Sequence, residues 1–161
     1  MLDIRKAQPS DIPTILHFIR GLASYEKLEH AVVADEAKLT STLFGEHPYA
    51  EVLLAHWDGQ PAGFALFFHN YSTFLAKPGI YLEDLFVDPK FRSKGIGKAL
   101  LVDLAKLAVE RDCGRLEWSV LDWNEPAIGF YKSLGAVPMD EWTIFRVTGD
   151  SLHQLSVMLR S

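Results

Sequence analysis

The chain has 161 residues, of which 48% are hydrophobic and 23% charged, a balance that is typical of a globular protein and excludes a disordered or fibrous chain. A net charge of −5 makes binding of nucleic acid through overall charge unfavourable. No run approaches 18 apolar residues, so we expect no membrane-spanning helix. The charged start MLDIRKAQPSD has no apolar core of signal-peptide length, and the lone Cys113 cannot form an internal disulfide. We therefore expect a cytoplasmic protein.

The first third of the sequence predicts a short strand and two helices. The strand covers residues 2–7. Ser10 or Asp11 is expected to cap the first helix, and Asp35 to cap a second helix over 36–44 that ends at Gly45. The apolar residues of the first helix recur at intervals of three and four, which predicts one buried face: Ile12, Ile15, Leu16, Ile19 and Leu22.

The rest of the sequence alternates strands with helices. The dipeptide Asp58-Gly59 predicts a tight hairpin between the second and third strands, because both residues tolerate the left-handed backbone that such a turn needs. The elements predicted in order are strands 50–57, 62–70 and 80–87, a helix 98–112, a strand 115–121, a helix between Asn124 and Gly135, a strand 142–147 and an amphipathic segment 151–160.

This order of elements predicts the fold class. An antiparallel meander feeds a right-handed β-α-β crossover, so the fold is an α/β (α+β) arrangement with a mixed sheet and helices on both faces. No long proline, glycine or serine tract separates the periodic segments. We therefore expect a single domain over residues 1–161.

A basic, glycine-containing loop, RSKGIG at 92–97, lies between the strand 80–87 and the following helix. The backbone N–H groups of such a loop have no partners in regular structure, and they lie at the positive end of the helix dipole. This arrangement predicts an anion site, most simply for a pyrophosphate. Ala99 excludes a Walker loop and Leu100 excludes the dinucleotide fingerprint, because each stands where the motif needs another residue.

Two strings extend this pattern, YLEDLFV-DP before the loop and WNEPAIGFYKSLGA at 123–136 after it. With them the chain resembles the GCN5-related N-acetyltransferases (GNAT) essentially from end to end. Within that superfamily it is similar to the diamine acetyltransferases, which act on spermidine and spermine or on thialysine, at SYEKLE (24–29) and FGEHP (44–48). The resemblance implies a mostly antiparallel sheet with a splayed parallel pair at strands 4 and 5, acetyl-CoA as cosubstrate and a homodimer.

The resemblance also implies which residues hold acetyl-CoA. The pyrophosphate would lie on the glycine loop, and the pantetheine arm would pair with the edge of strand 4, where a backbone N–H near Leu85 or Phe86 would also hold the oxyanion. Asn124 would meet a pantetheine amide, unless it only caps a helix. The implied cofactor-binding residues are Leu85, Phe86, Val87, Arg92, Ser93, Lys94, Gly95, Ile96, Gly97, Lys98, Asn124, Pro126, Ala127 and Tyr131.

Two residues match the catalytic groups of the family. Tyr131 matches the acid that protonates the departing thiolate, and the alternative is a core aromatic residue. Glu83 matches the carboxylate that takes the proton of the amine through water, and the alternative is an ion pair that holds the sheet. The implied amine-binding residues are Tyr25, Glu26, Glu83, Asp84, Glu117, Trp118 and Ser119. For Tyr25 and Glu26 the alternative is a surface position at the end of a helix.

The amine substrate is suggested by one difference between this chain and the polyamine-acetylating relatives. Ser72 stands where the polyamine enzyme carries an acidic residue, which favours a small thialysine-like or lysine-like amino acid over spermidine. A polyamine acetyltransferase, a protein or peptide N-acetyltransferase and an inactive CoA-binding module remain alternatives. The six histidines are scattered without ligand spacing, so no metal is expected.

Overall fold

The computed structural model describes residues 1–160, which form two compact units, Met1–Ser119 and the chain from Val120 onwards. The first unit is a five-stranded sheet with three helices, and the second contains two helices. A single domain over the whole chain stays a prediction.

The first unit has the sheet order β1-β2-β3-β4-β5, antiparallel throughout except for the parallel pair β4-β5. This confirms the predicted fold class. Short 3-10 turns cover Pro9–Asp11, Glu29–Ala31 and Pro89–Phe91. The elements are β1 (Leu2–Lys6), α1 (Ile12–Tyr25), α2 (Glu36–Phe44), β2 (Glu51–Trp57), β3 (Gln60–Ser72), β4 (Lys77–Val87), α3 (Ile96–Glu110) and β5 (Leu116–Trp118).

Helices cover both faces of this sheet. Neighbouring residues of β3 are buried on both sides, as Phe64 and Ala65 show. Phe64 belongs to a core cluster that α1 and α2 contribute to, in which its ring stacks on that of Phe18 at 5.6 Å between centroids. The opposite face packs against α3, whose buried residues are Ile96, Leu100, Leu101, Leu104 and Ala108. A sheet covered on both faces is expected to have such continuously apolar central strands.

Most of the predicted boundaries in this unit are confirmed to within a few residues. Asp58 and Gly59 have φ values of 49° and 80°, as the predicted hairpin turn requires. The Asp35 carboxylate accepts from the Lys38 N–H at 2.8 Å and so caps α2. Asp11 stands at the N-cap of α1, but its side chain accepts from the Gln8 N–H and from Arg5 instead. The strand predicted over 115–121 is shorter than expected, because only its first residues pair with β4.

Strand β4 contains one residue more than its partner. Leu66 of β3 pairs with Asp84 and Phe67 pairs with Leu82, so Glu83 has no partner on β3. Such a bulge shifts the alternation of side chains between the two faces of a sheet. Because Phe68 pairs with Tyr81, residues 81 and 84 share one face of the sheet although three positions separate them.

The second unit contains α4 (Glu125–Ser133) and α5 (Gly149–Ser156). The Asn124 side chain accepts from the Ala127 N–H at 3.4 Å, and Gly135 has a φ of 93°, as predicted for the two ends of α4. The strand predicted over 142–147 was wrong, because this segment has no regular structure. Alternating apolar residues form a strand only beside another strand, and the second unit contains none among the described residues.

No helix in the described part of the chain is both long enough and apolar enough to cross a membrane.

Candidate active site

The loop between β4 and α3 leaves a row of backbone N–H groups open. The carboxylate of Asp88 accepts from the Lys90 N–H at 2.9 Å and so fixes the turn that precedes the loop. Ser93 and Gly95 then adopt left-handed backbone, with φ values of 66° and 76°. The consecutive N–H groups of residues 93–98 donate to no acceptor within residues 1–160. Alternation of right- and left-handed residues produces this kind of concave anion site, and the helix dipole adds to it.

Basic side chains surround these N–H groups. Lys94 lies over the ring of Trp57, with its Nζ 4.9 Å from the ring centroid, and Lys98 is exposed in the first turn of α3. Ile96, at 1% exposure, anchors the start of the helix in the core beneath the loop. The loop is therefore anchored to the core by Ile96 and surrounded by the positive charges of Lys94 and Lys98.

The edge of β4 that faces β5 is paired over only part of its length. The parallel pairing runs from Ile80↔Leu116 to Leu82↔Trp118, and β4 then continues for five residues to Val87. Leu85 and Val87 are half-buried there, and Phe86 is buried with its ring 6.1 Å from that of Phe18. The backbone of this segment is thus available for pairing on the side where β5 has ended.

Arg92 connects the loop to this edge and to α1. Its Nε donates to the Val87 carbonyl at 2.8 Å. Its guanidinium carbon lies 5.5 Å from the ring centroid of Tyr25 and 5.8 Å from that of Phe86. The side chain therefore spans from the last residue of β4 to the last residue of α1.

The carboxyl group of Asp84 lies within electrostatic reach of two others, those of Glu26 and Glu83. Burial and the nearby charges of Glu83 and Glu26 raise the pKa of Asp84 to about 6. Burial also raises the pKa of Glu26, which follows α1 directly. Glu83, the bulged residue, is exposed. A site of this kind attracts a cation, since each added positive charge relieves the repulsion between the carboxylates.

The amine-binding residues predicted in and directly after β5, Glu117, Trp118 and Ser119, each have a different contact. The Glu117 carboxylate pairs with the Arg115 Nε at 2.9 Å and accepts from the Asn70 amide at 3.1 Å, which gives it a structural role between strands. Trp118 forms the last register pair with β4. The hydroxyls of Ser119 and Tyr81 form a hydrogen bond of 2.6 Å.

Sequence reasoning missed Tyr81 as part of this site. The bulge at Glu83 places Tyr81 on the same face of the sheet as Asp84, and its ring lies 5.3 Å from that of Phe68. The string YLED gave no signal for this, because strict alternation places residues three apart on opposite faces.

The second unit carries the other four predicted residues. Asn124 caps α4, and Pro126 and Ala127 lie in its first turn. Tyr131 lies in the last turns of the same helix, with its ring 5.7 Å from that of Phe130. The roles predicted for all of the site residues stay predictions.

The remaining reactive side chains lie apart from this loop. Cys113 is half-buried with its Sγ 4.0 Å from the His69 Nδ1, but that imidazole already contacts the Gly79 carbonyl at 3.0 Å and Arg111 at 2.8 Å. Arg111 in turn makes a bidentate ion pair with Glu51, which lowers the pKa of that carboxyl. No group of three or more metal-ligating side chains was found in the portion of the chain that the structure describes.

Comparison with known proteins agrees with this geometry. The chain is 38% identical over 164 residues to a thialysine N-epsilon-acetyltransferase of Bos taurus, an alignment that covers 95% of this chain and 96% of that protein. It is 37% identical over 197 aligned residues to an L-ornithine N5-acetyltransferase of Arabidopsis thaliana, with 94% and 86% covered. The solved structure of an integron cassette protein of V. cholerae superposes with a TM-score of 0.82 at 28% identity and covers 98% of each chain.

The family model matches a stretch that runs from α1 through the loop and β5 to the end of α4. Its description is acetyltransferase (GNAT) family, and the matched residues are 17–136. This stretch is well over half of the chain and contains the row of open N–H groups, the bulge at Glu83 and Tyr131. The chain belongs to the GNAT family of acetyltransferases.

Proposed function

We propose that this enzyme transfers the acetyl group of acetyl-CoA to the side-chain amine of a small amino acid of the lysine, thialysine or ornithine type. The observation that carries the proposal is the row of open N–H groups at 93–98 beside the acidic group around Asp84. One end of the site suits a diphosphate and the other suits an ammonium group. An enzyme that joins these two substrates needs such a division of charge.

The loop fits the diphosphate of CoA. Six donors in sequence, two left-handed residues and a helix N-terminus are the features by which backbone binds phosphate. The unpaired edge at Leu85, Phe86 and Val87 fits the amide-containing pantetheine arm, which would add to β4 as a short strand. When bound, acetyl-CoA supplies an acetyl group that is already activated as a thioester.

The transfer requires a proton to leave the amine and another to reach the thiolate. Glu83 is exposed at the bulge and is the base in this proposal, acting through water. A backbone N–H near Leu85 or Phe86 holds the charge that develops on the acetyl oxygen. Tyr131 donates the proton to the leaving thiolate, because a phenol is an acid of strength similar to an alkyl thiol. Asn124 binds the cofactor in addition to its role as a helix cap.

The preference for an amino acid rests on the named relatives rather than on Ser72. That residue is buried, and its hydroxyl accepts from the Leu75 N–H in the turn between β3 and β4. It lies six residues along β3 from Leu66, the partner of Asp84, which is about 20 Å. Within one chain, Ser72 therefore does not reach the acidic group. Two relatives that cover nearly the whole chain carry the names of a thialysine and an ornithine acetyltransferase.

A homodimer and a cytoplasmic location complete the proposal. The resemblance to the diamine acetyltransferases implies the dimer, and the second unit supports it with exposed apolar side chains, among them Trp142, Ile144 and Phe145 at 75%, 76% and 92%. Large exposed apolar patches are typical of surfaces that another chain covers. We propose a second copy of this chain as that partner, and the mass measured by light scattering tests it.

Release of CoA thiol with a panel of amines tests the function. We expect kcat/KM for lysine, thialysine or ornithine to exceed that for spermidine at least about tenfold, because the relatives that cover nearly the whole chain are named for thialysine and ornithine. A preference for spermidine would establish the polyamine alternative, and a preference for peptides the protein-directed one. Binding of CoA with no thiol release from any amine would reduce the chain to a binding module.

The row of N–H groups can be tested with two glycine substitutions. Gly95→Ala places a side chain at a φ of 76°, which costs about 1–2 kcal/mol and distorts the loop. We expect CoA affinity, measured by calorimetry, to fall at least about tenfold. Gly149→Ala is the matched control, because it also places a Cβ at a positive φ, 56°, with open space around it, but at the start of α5 and at no predicted site residue. Equal affinity in both variants would contradict the assignment of the loop.

Tyr131→Phe tests the acid. Loss of the hydroxyl removes the proton donor but keeps the ring, so we expect kcat to fall well over tenfold with CoA affinity nearly unchanged. Tyr49→Phe, which alters an exposed tyrosine, is the control and should leave kcat as it is. Unchanged turnover in the Tyr131 variant would remove this residue from the mechanism.

Asp84→Asn tests how far the buried charge of Asp84 lowers the free energy of unfolding. Because the folded-state pKa is raised, the protein is most stable when Asp84 is protonated, and this stability is lost as the pH rises through about 6. At pH 7–8 we therefore expect the variant to be more stable than the parent by about 1–3 kcal/mol, with the difference disappearing near pH 4. Asp103→Asn, on α3, serves as the control in the same denaturation series.

A further inference from the structure

Arg92 contacts both halves of the proposed site at the same time. Its Nε is engaged by the Val87 carbonyl, and its guanidinium group lies against the rings of Tyr25 and Phe86. A guanidinium has five N–H donors. Neither Nη group donates to any acceptor among residues 1–160. The side chain is therefore held at one edge and on its faces, while its remaining donors stay available next to the open N–H groups of the loop.

The partner of these contacts on α1 belongs to the amine side of the site. Tyr25 is the last residue of α1, and the next residue is Glu26, whose charge contributes to the raised pKa of Asp84. Arg92, in turn, directly precedes the row of donors that begins at Ser93. Arg92 thus links the start of this row to the last residue of α1.

We infer that Arg92 is a positioning residue that couples occupancy of the phosphate loop to amine binding, through the Tyr25 ring; this inference rests on the proposed function. A diphosphate on the loop accepts from the Nη groups and fixes the guanidinium plane. The fixed plane holds the Tyr25 ring and with it the end of α1 that carries Glu26. By linkage, a bound amine strengthens CoA binding by the same factor.

The chemistry of arginine is needed for this coupling. A planar guanidinium hydrogen-bonds along its edge and stacks on aromatic rings at the same time, whereas an ammonium is a point charge. Lysine at position 92 therefore keeps the positive charge near the loop but loses the fixed contact with Tyr25 and the hydrogen bond from Nε to the Val87 carbonyl. Arg92 is exposed, so its replacement should leave the fold intact.

A double-mutant cycle in the full-length enzyme tests the coupling. The variants are Arg92→Lys, Tyr25→Leu and both together, assayed for CoA affinity, for kcat and for the KM of lysine at saturating acetyl-CoA. We expect each single change to raise the KM of the amine about three- to fivefold, the size of one such ring contact. Because either single change already removes the contact between Arg92 and Tyr25, the double variant should show no increase larger than that of the more affected single variant. Because the KM of the amine is measured at saturating acetyl-CoA, a loss of CoA affinity in Arg92→Lys does not enter it and is read separately by calorimetry.

Two further variants separate positioning from general effects. Lys90→Met removes an exposed cation two residues away that has no ring contact, and the KM of the amine should not change. Tyr25→Phe keeps the ring, so the coupling to Arg92 should persist in a cycle built on it.

The possible outcomes distinguish the coupling from the proposed function. Additive effects of Arg92→Lys and Tyr25→Leu, or an unchanged amine KM in Arg92→Lys, would overturn the coupling while the active parent enzyme upholds the function. A parent chain that binds CoA but acetylates no amine would overturn both.

Discussion

The extra residue in β4 is the constraint on which the rest of the site depends. A regular strand would place Asp84 and Tyr81 on opposite faces, but the bulge at Glu83 brings both to the face that α1 covers. The bulge also leaves Glu83 without a cross-strand partner, where its carboxylate remains in contact with solvent. One insertion thus gives two neighbouring carboxyl groups different surroundings, so that Asp84 is largely buried with an elevated pKa and Glu83 is exposed to solvent.

The loop after β4 depends on a second backbone irregularity. Ser93 adopts a φ that side-chain-bearing residues rarely occupy, at a cost of about 1 kcal/mol or more, and Gly95 repeats the conformation without that cost. The strain is sustained by the surrounding structure, in particular by buried Ile96 and by the hydrogen bond from Arg92 to Val87. The donors are consequently aligned by the fold itself, which would reduce the ordering required for binding of an anion.

The parts of this structure that local chemistry determines were predictable from the sequence. The hairpin at Asp58, the caps at Asp35 and Asn124 and the glycine loop each depend on a few adjacent residues. The bulge at Glu83 was not predictable, because it is a mismatch between two strands and leaves no mark on either alone. The strand predicted over 142–147 was wrong for a related reason, because alternating apolar residues form a strand only when another strand lies beside them to pair with. The contact of Arg92 with Tyr25 joins residues far apart in the chain, and no periodicity reveals it.

The elevated pKa of Asp84 also affects how ligand binding is measured. Near pH 6 the Asp84 carboxyl group is protonated in about half of the protein molecules, and an ammonium group placed beside it favours the ionised form. Association with a cation then expels protons into the medium, and the buffer takes them up with its own ionisation enthalpy. The apparent heat of amine binding would accordingly differ between phosphate and Bis-Tris buffers near pH 6, and the two values would converge at higher pH, where Asp84 is already ionised.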